Sequence, residues 1–189
     1  MNIMRSHSIT RTAAALASAF LLALGAGLST TVAAAGYGDE DTAALLSALE
    51  KSRLSLAAGL RQLSKGDEVP ISAKFELDDQ KQLSLSVYTA EKGIAVDPEH
   101  NVLKEYSGDP GVAPWTPKAE VFEDIPHVAR ASGHLVLMAL TRIPLARLVA
   151  TTQKAHPGRV FSAIPGIEDG RGVLFVQIAA EGKVESVKV

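Results

Sequence analysis

The sequence contains no cysteine, and aromatic residues make up only 5% of its 189 residues. The absence of cysteine excludes disulfide bonds, thiol catalysis and thiolate ligands for a metal ion. Long apolar runs are also lacking after residue 35, where no segment approaches the roughly 20 apolar residues of a membrane-spanning helix. We therefore expect residues 36–189 to be soluble and to depend on a hydrophobic core alone for stability.

The first 35 residues have the composition of a cleavable signal peptide. Arg5 and Arg11 give a basic start, residues 13–28 form an uncharged apolar run, and residues 33–35 are small alanines that suit a signal peptidase. A membrane anchor is the alternative, but the apolar run is shorter than the roughly 20 residues that cross a bilayer. The pattern predicts cleavage after Ala35 and a periplasmic or secreted location.

The charge balance of the remaining chain is mildly acidic. Residues 1–35 contain two basic side chains and no acidic one, so residues 36–189 carry 17 basic and 21 acidic side chains, a net charge of −4. Nucleic acids and anionic membrane surfaces favour a concentrated basic face, and no cluster of lysine and arginine is present. We therefore expect neither of them as a partner.

An internal repeat is the strongest pattern in the sequence. When the chain is aligned with itself at an offset of 89 residues, apolar positions match in both halves. The matched pairs are Leu56 with Leu145, Ala57 with Ala146, Leu60 with Val149, Ile71 with Val160, Leu85 with Leu174 and Val87 with Val176. A repeat of this length predicts one structural unit used twice. No reactive side chain is among the matched positions, so the repeat indicates a shared fold and not a shared catalytic site.

Residues 36–106 form the predicted first unit, with helical signals followed by alternating ones. The predicted elements are a helix from 39 to about 52, a helix from 56 to about 65 capped by Ser55, strands at 71–77 and 83–88, and shorter strands at 93–96 and 102–106. Apolar residues at every second position are typical of half-buried strands, so the two longer strands predict an antiparallel hairpin.

Residues 107–117 form the predicted linker, since they are too rich in proline and glycine for a helix or strand. Residues 118–189 then predict a helical segment and the second unit. The predicted elements are a helix beginning at 116–117 and broken or kinked at Pro126, helices at 127–140 and 145–155, and strands at 160–167, 173–178 and 184–189. Pro165 and Gly166 predict an edge position or a bulge for the first of these strands.

This order predicts an α+β fold of two units packed together, each a helix plus an antiparallel β-meander, and it resembles the PepSY domain family in tandem. The matching segments are 159–162, 168–176 and 181–184 in the second copy, and 71–77, 83–88 and 96–102 in the first. Asn101 stands where the family usually has glycine, although asparagine also tolerates the left-handed conformation. The resemblance implies a non-enzymatic envelope module, from a family found in protease propeptides, with proposed roles in restraining peptidases.

The sequence contains no motif of a known catalytic or metal centre. It has no Gly-x-Ser-x-Gly elbow, no His-Glu-x-x-His helix, no Gly-x-Gly-x-x-Gly and no phosphate loop. Two weaker metal candidates are His127 with His134, seven residues apart on a predicted helix, and His100 with Asp97 and Glu99 in a turn. Scattered surface histidines explain both better. We predict no catalytic residue, no cofactor and no metal site.

Three aromatic residues are the remaining candidates for partner binding. Trp115 lies in the proline-rich linker, where it is either an exposed anchor or, as is commoner for a lone tryptophan, a residue that packs the linker onto the core. Tyr88 and Phe161 are predicted on the open face of the sheet or at the interface between the two copies.

We expect an exported, non-enzymatic binding module that modulates an envelope protease or another protein partner, and a homodimer is compatible with the linker. The alternative is a periplasmic sensor of a small ligand or a cation. A third hypothesis is a hydrolase with an unrecognised site. A wide exposed apolar patch or an open sheet edge would favour the first, a closed concave pocket with converging polar groups the second, and a Ser or Asp hydrogen-bonded to a His in a cleft the third.

Overall fold

A computed structural model describes residues 39–189, with four helices and seven strands. In chain order they are α1 (Asp39–Lys51), α2 (Leu56–Leu63), β1 (Val69–Leu77), β2 (Leu83–Ala90), β3 (Leu103–Gly108), β4 (Lys118–Val121), α3 (Ile125–Thr141), α4 (Leu145–Ala155), β5 (Arg159–Glu168), β6 (Arg171–Ala180) and β7 (Lys183–Lys188). The predicted signal peptide, residues 1–35, lies outside the described residues.

All seven strands form one antiparallel sheet in the order β4-β3-β2-β1-β5-β6-β7. The α+β prediction is therefore confirmed. The two halves of the chain meet at the centre of this sheet, where Ala73 of β1 pairs with Ala163 of β5. Both alanines are buried, and their small side chains suit the crowded seam between the halves.

The sequence repeat is visible in the strand register. Ala73 pairs with Val87, and Ala163 pairs in the same way with Val176. Each central strand also has a bulge just before this position, at Ile71 in β1 and at Phe161 in β5. Equivalent residues are therefore 90 positions apart in β1 and β5, and 89 positions apart in β2 and β6. The residue equivalent to Ile71 is thus Phe161 rather than the predicted Val160.

Helices cover both faces of the central strands. The ring of Phe75 in β1 lies under the guanidinium of Arg159. Because the side chain of Arg159 binds the loop between α1 and α2, Phe75 is on the face of the sheet that these two helices cover. Ser72 bonds with His134 of α3. Successive side chains of a strand point to opposite faces, so α3 lies on the face opposite α1 and α2, with α4 beside α2. The central sheet consequently has no open face, although the sequence suggested one.

The predicted strand at 93–96 is wrong, because these residues lie in a turn. The side chain of Asn101 occupies the backbone groups that a strand would need. Its Nδ2 donates to the carbonyls of Gly93 (2.9 Å) and Val96 (3.1 Å), and its Oδ1 accepts from the backbone N–H of Lys92 (3.0 Å). An asparagine side chain that replaces ladder bonds in this way stabilises a loop.

The predicted helix start at 116–117 is also wrong. Residues 118–121 form strand β4, which pairs with β3 and satisfies backbone groups along its outer edge. Helix α3 begins later, where the carboxylate of Asp124 accepts from the backbone N–H of His127 at 3.1 Å. Pro126 does not break or kink this helix because it lies in the first turn, where its missing N–H is not required.

Strand β5 is central in the sheet, not at the edge that Pro165 predicted. Pro165 is opposite Leu174 of β6, but Leu174 uses its own N–H and C=O with Val189 on its other side, at 2.9 and 3.0 Å. Pro165 and Leu174 therefore form a non-hydrogen-bonded pair of the antiparallel ladder. The bulge of β5 is at Phe161 instead.

Gly158, just before β5, is held where no side chain fits. Its φ is +97°, and an added Cβ would lie 2.5 Å from the carbonyl oxygen of Ala179 and 2.8 Å from the Cβ of Ala180. We expect Gly158→Ala to lower the free energy of unfolding by about 2–3 kcal/mol, measured by urea denaturation. Gly170→Ala is the control, since Gly170 has φ +74° but open space around it and should lose only about 1 kcal/mol. Equal losses would contradict the steric explanation.

Candidate functional site

Helix α3 is apolar on both its sides. Its inner side contributes Ala131, His134, Leu135 and Met138 to the core. A helix on the surface of a soluble domain usually carries charged residues on its outer side. In α3 the only formally charged residue at neutral pH is Arg130. The outer side of this helix is therefore an unusual surface.

The exposed apolar residues of α3 form a stripe. Ile125 is 83% exposed, Val136 is 48% exposed and Leu140 is 74% exposed. With Ala129 they follow helical spacings of four, seven and four residues, which place them along one side. Gly133 lies beside them, and an added Cβ there would meet no atom within 4 Å. We call these five residues the α3 outer stripe.

A row of aromatic rings lies beneath the first half of α3. Tyr88 packs edge-on against Phe122 with ring centres 4.7 Å apart, and Phe122 stacks on His127 at 5.3 Å. On its other side Tyr88 lies 6.1 Å from the ring of His134. The two histidines thus share one side of the helix, but two rings separate them, so they do not form a common metal site.

His134 and Ser72 form a buried hydrogen bond, with Nδ1 2.9 Å from Oγ. Burial, and secondarily the charge of Arg130, lowers the pKa of His134 to about 4, so the imidazole is neutral at pH 7. A Ser–His pair suggests nucleophilic catalysis only where substrate reaches the hydroxyl and a third group orients the imidazole. Ser72 is buried, and among the described residues no carboxylate hydrogen-bonds to the His134 ring. The pair is placed to hold α3 on the sheet.

The three aromatic residues predicted to bind a partner are all in the core. Tyr88 is 9% exposed, Trp115 is 3% exposed and Phe161 is 1% exposed. The indole of Trp115 packs near Gly59 of α2 and donates to the carbonyl of Gly108 at 3.4 Å. Phe161 occupies the bulge of the central strand β5. The structure uses all three in packing and does not bring them together, so their contact with a partner stays a prediction.

In both candidate metal sites, the turn at His100 and the His127–His134 pair, one histidine hydrogen-bonds with an aspartate. His100 lies 2.9 Å from Asp97, and its ring hydrogen bond lowers the pKa of that carboxyl. His127 lies 2.7 Å from Asp124, where the backbone N–H and then the ring of His127 lower the pKa of the carboxyl. Across residues 39–189, no three His, Asp or Glu side chains form a group that could hold a metal ion.

Sequence reasoning missed the outer side of α3. The available signal was compositional, since residues 125–141 contain a single arginine and no acidic residue. Within the described part of the chain, no single helix is long and apolar enough to span a membrane, and only α3 and α4 together pass this test, with a 74° bend between them.

Comparison with known proteins identifies no relative. No protein-family model, curated protein or solved structure matches the chain. The resemblance to the PepSY family therefore stays a prediction. Function has to be inferred from the surface and the cavities of the molecule itself.

Proposed function

We propose that this protein is an exported, non-enzymatic binding module that uses the α3 outer stripe to bind a partner protein. The observation that carries the proposal is the exposure of Ile125, Val136 and Leu140 on a helix with one charged residue. Contiguous exposed apolar surface on a soluble domain is typical of a protein interface. The partner class implied by the family resemblance is an envelope peptidase.

The dimensions of the stripe suit a partner helix or strand. From Ile125 to Leu140 the helix rises by about 22 Å. Full burial of each large apolar side chain contributes about 1.5–3 kcal/mol, so three such residues supply a substantial binding free energy. Ala129 and Gly133 lie between them, and their small size allows a partner backbone to come close at the middle of the stripe.

We further propose that the two halves of the chain are tandem PepSY-like units. The equivalent bulges and equivalent pairs of Ala73 and Ala163 support a duplication, and each half contains a helix followed by an antiparallel meander. The pairing of β1 with β5 within one chain supports two halves that are packed as one body. Strand β4 has no counterpart in the first half, and α3, which corresponds to α1 in chain order, lies on the opposite face of the sheet. We propose that α3 supplies the binding function.

Photocrosslinking from the stripe tests this function. A photoreactive amino acid at Val136, introduced into the full chain in intact cells, is expected to capture a peptidase identified by mass spectrometry. Val136→Glu should weaken binding of the purified pair at least about tenfold, because a carboxylate would be buried without a partner at the interface. The interaction is measured by surface plasmon resonance.

The matched control is Val112, which is 52% exposed in the loop after β3 and lies off the stripe. The photoreactive residue at this position should capture nothing, and Val112→Glu should leave the affinity unchanged. Capture of equal strength from both positions would refute the stripe as the interface. A crosslinked dimer of this chain alone would refute a peptidase partner in favour of self-association.

A further inference from the structure

An apolar cavity lies where α3 turns into α4, next to the ends of β5 and β6. Its volume is about 310 Å³. The residues around it are Leu137, Met138, Thr141, Ile143, Leu148, Pro165, Gly172, Val173, Leu174 and Val189. Thr141 is the only lining residue with a polar side chain, and its hydroxyl already donates to the carbonyl of Met138 at 2.9 Å. The cavity therefore offers almost no polar group to a ligand.

Gly172 keeps this cavity open. Its backbone φ lies outside the left-handed region, so a side chain would cause no backbone strain, and an added Cβ would meet only Cδ2 of Leu137, at 3.4 Å. An apolar cavity of about 150 Å³ is large enough to hold benzene. A cavity of twice this size has room for a larger apolar group, such as a medium-length aliphatic chain.

Two arginines are next in sequence to residues that line the cavity. Arg142 stands between the lining residues Thr141 and Ile143, and Arg147 directly precedes Leu148. Both are exposed, and neither forms an ion pair within residues 39–189. Both sequence neighbours of Arg142 line the cavity, and adjacent Cα atoms are about 3.8 Å apart, so the side chain of Arg142 starts at the cavity entrance. Arg147 is on α4, away from the buried side formed by Leu145 and Val149. Arginine favours bidentate pairing with a carboxylate or phosphate.

No acidic side chain of residues 39–189 forms an ion pair with Arg142. Glu168 at the end of β5 binds Lys188 at 2.7 Å. The adjacent Asp169, in the turn between β5 and β6, forms no ion pair with an arginine within residues 39–189. An apolar cavity with a cationic group at its entrance is complementary to an amphiphile with an anionic head.

We propose that this cavity binds the acyl chain of a medium-chain carboxylate, with the anionic head at Arg142. A free fatty acid and the acyl chain of an anionic lipid share this chemistry. The site is independent of the α3 outer stripe, since Leu137 and Met138 line it from the other sides of the helix. The inference extends the protein's role beyond partner binding to recognition of a small ligand.

Calorimetric titration of the full chain, as processed and purified from cells, with decanoate and with decanol tests the proposal. Decanoate should bind saturably at one site, and decanol about fivefold or more weakly because it lacks the charge. Gly172→Val should weaken both ligands about tenfold by filling the cavity, without lowering the melting temperature. Arg142→Gln should weaken decanoate and leave decanol unchanged.

The controls separate the cavity from the rest of the surface. Ala119→Val adds a larger side chain on the exposed strand β4, and Arg53→Gln removes an exposed arginine far along the chain; both should bind decanoate like the parent. If Gly172→Val fails to fold, Leu148→Trp fills the same cavity from α4. Sedimentation with phosphatidylglycerol vesicles, lost in Gly172→Val, would identify a lipid as the source of the acyl chain.

Three results would overturn the proposal. The first is the absence of saturable decanoate binding at 1 mM, about a thousandfold above a micromolar dissociation constant. The second is decanoate binding that both cavity-filling variants leave unchanged. The third is binding to vesicles without any binding of decanoate, which would indicate a membrane-surface contact instead of a ligand cavity.

Discussion

Replacement of Arg159 by alanine is expected to lower the free energy of unfolding by about 3–4 kcal/mol. The guanidinium donates to three backbone carbonyls, that of Leu49 at the end of α1 and those of Ser52 (2.8 Å) and Leu54 (2.5 Å) in the connection to α2. It also lies 5.4 Å from the ring centre of Phe75. One side chain at the start of β5 thus fixes the N-terminal helices to the second half of the sheet.

The size of this effect follows from the carbonyls that the arginine satisfies. The last carbonyls of a helix have no partner within the helix, and Arg159 binds one of them at the end of α1 together with two in the following loop. The carbonyl of Leu49 also accepts from the N–H of Ser52 at 3.2 Å and that of Leu54 from Oγ of Ser52 at 3.3 Å, so the carbonyl of Ser52 is the one that depends on Arg159 alone. Hydrogen bonds from a charged donor contribute about 1.5–3 kcal/mol each, and an unsatisfied buried carbonyl costs a further 1–3 kcal/mol. Partial access of water to the site limits the loss to the range given.

Urea denaturation and thermal melting measure this effect. A loss of about 3–4 kcal/mol corresponds to a fall of about 10 °C in melting temperature for a domain of this size. Arg159→Lys keeps the charge but loses the fork of donors, so it should lie between the parent and alanine. Arg53→Ala, an exposed arginine in the same connection, should change the free energy by less than about 0.5 kcal/mol. An Arg159→Ala variant as stable as this control would show that the connection is held by other contacts.

The elements with strong local signals were predictable from sequence. Ser55 caps α2 as expected, with its side chain accepting from the backbone N–H of Ala58 at 3.2 Å. Helix α4 has the predicted bounds, and alternation located both hairpins to within two or three residues. These features depend on neighbours in sequence, so a pattern of a few residues was sufficient.

The features that depend on distant residues were not predictable. Arg159 binds carbonyls more than 100 positions earlier in the chain, and no local pattern marks such a contact. Strand β4 forms because β3 offers an unpaired edge, although the segment 118–121 is short and all its residues are exposed. The placement of α3 on the second face buried Tyr88, which alternation alone placed on an open surface. The cavity likewise arises only when β6 and the α3–α4 turn meet.

Stability is expected to fall by up to about 3 kcal/mol as the pH decreases from 6.5 to 4, because of His134. Burial and the charge of Arg130 lower the pKa of His134 to about 4, whereas an unfolded histidine has a pKa of 6.5. The unfolded state therefore binds more protons than the folded state throughout this interval, so acid favours unfolding. Each pH unit of separation contributes about 1.4 kcal/mol.

Substitution of His134 isolates this effect. His134→Gln keeps a polar side chain that can bond with Ser72 but cannot titrate, so its free energy of unfolding should change by less than about 1 kcal/mol between pH 6.5 and 4.5. The lowered pKa values of Asp97 and Asp124 affect stability only below about pH 4, because above that pH these carboxyls are ionised. Their effect therefore lies outside the interval from pH 6.5 to 4.5. Urea denaturation at several pH values measures the difference between parent and variant. His156→Gln, at the end of α4, is the control and should keep the pH dependence of the parent. If the stability of the parent did not change from pH 6.5 to 4.5, His134 would be protonated in the folded state without cost, and α3 would open enough to admit water.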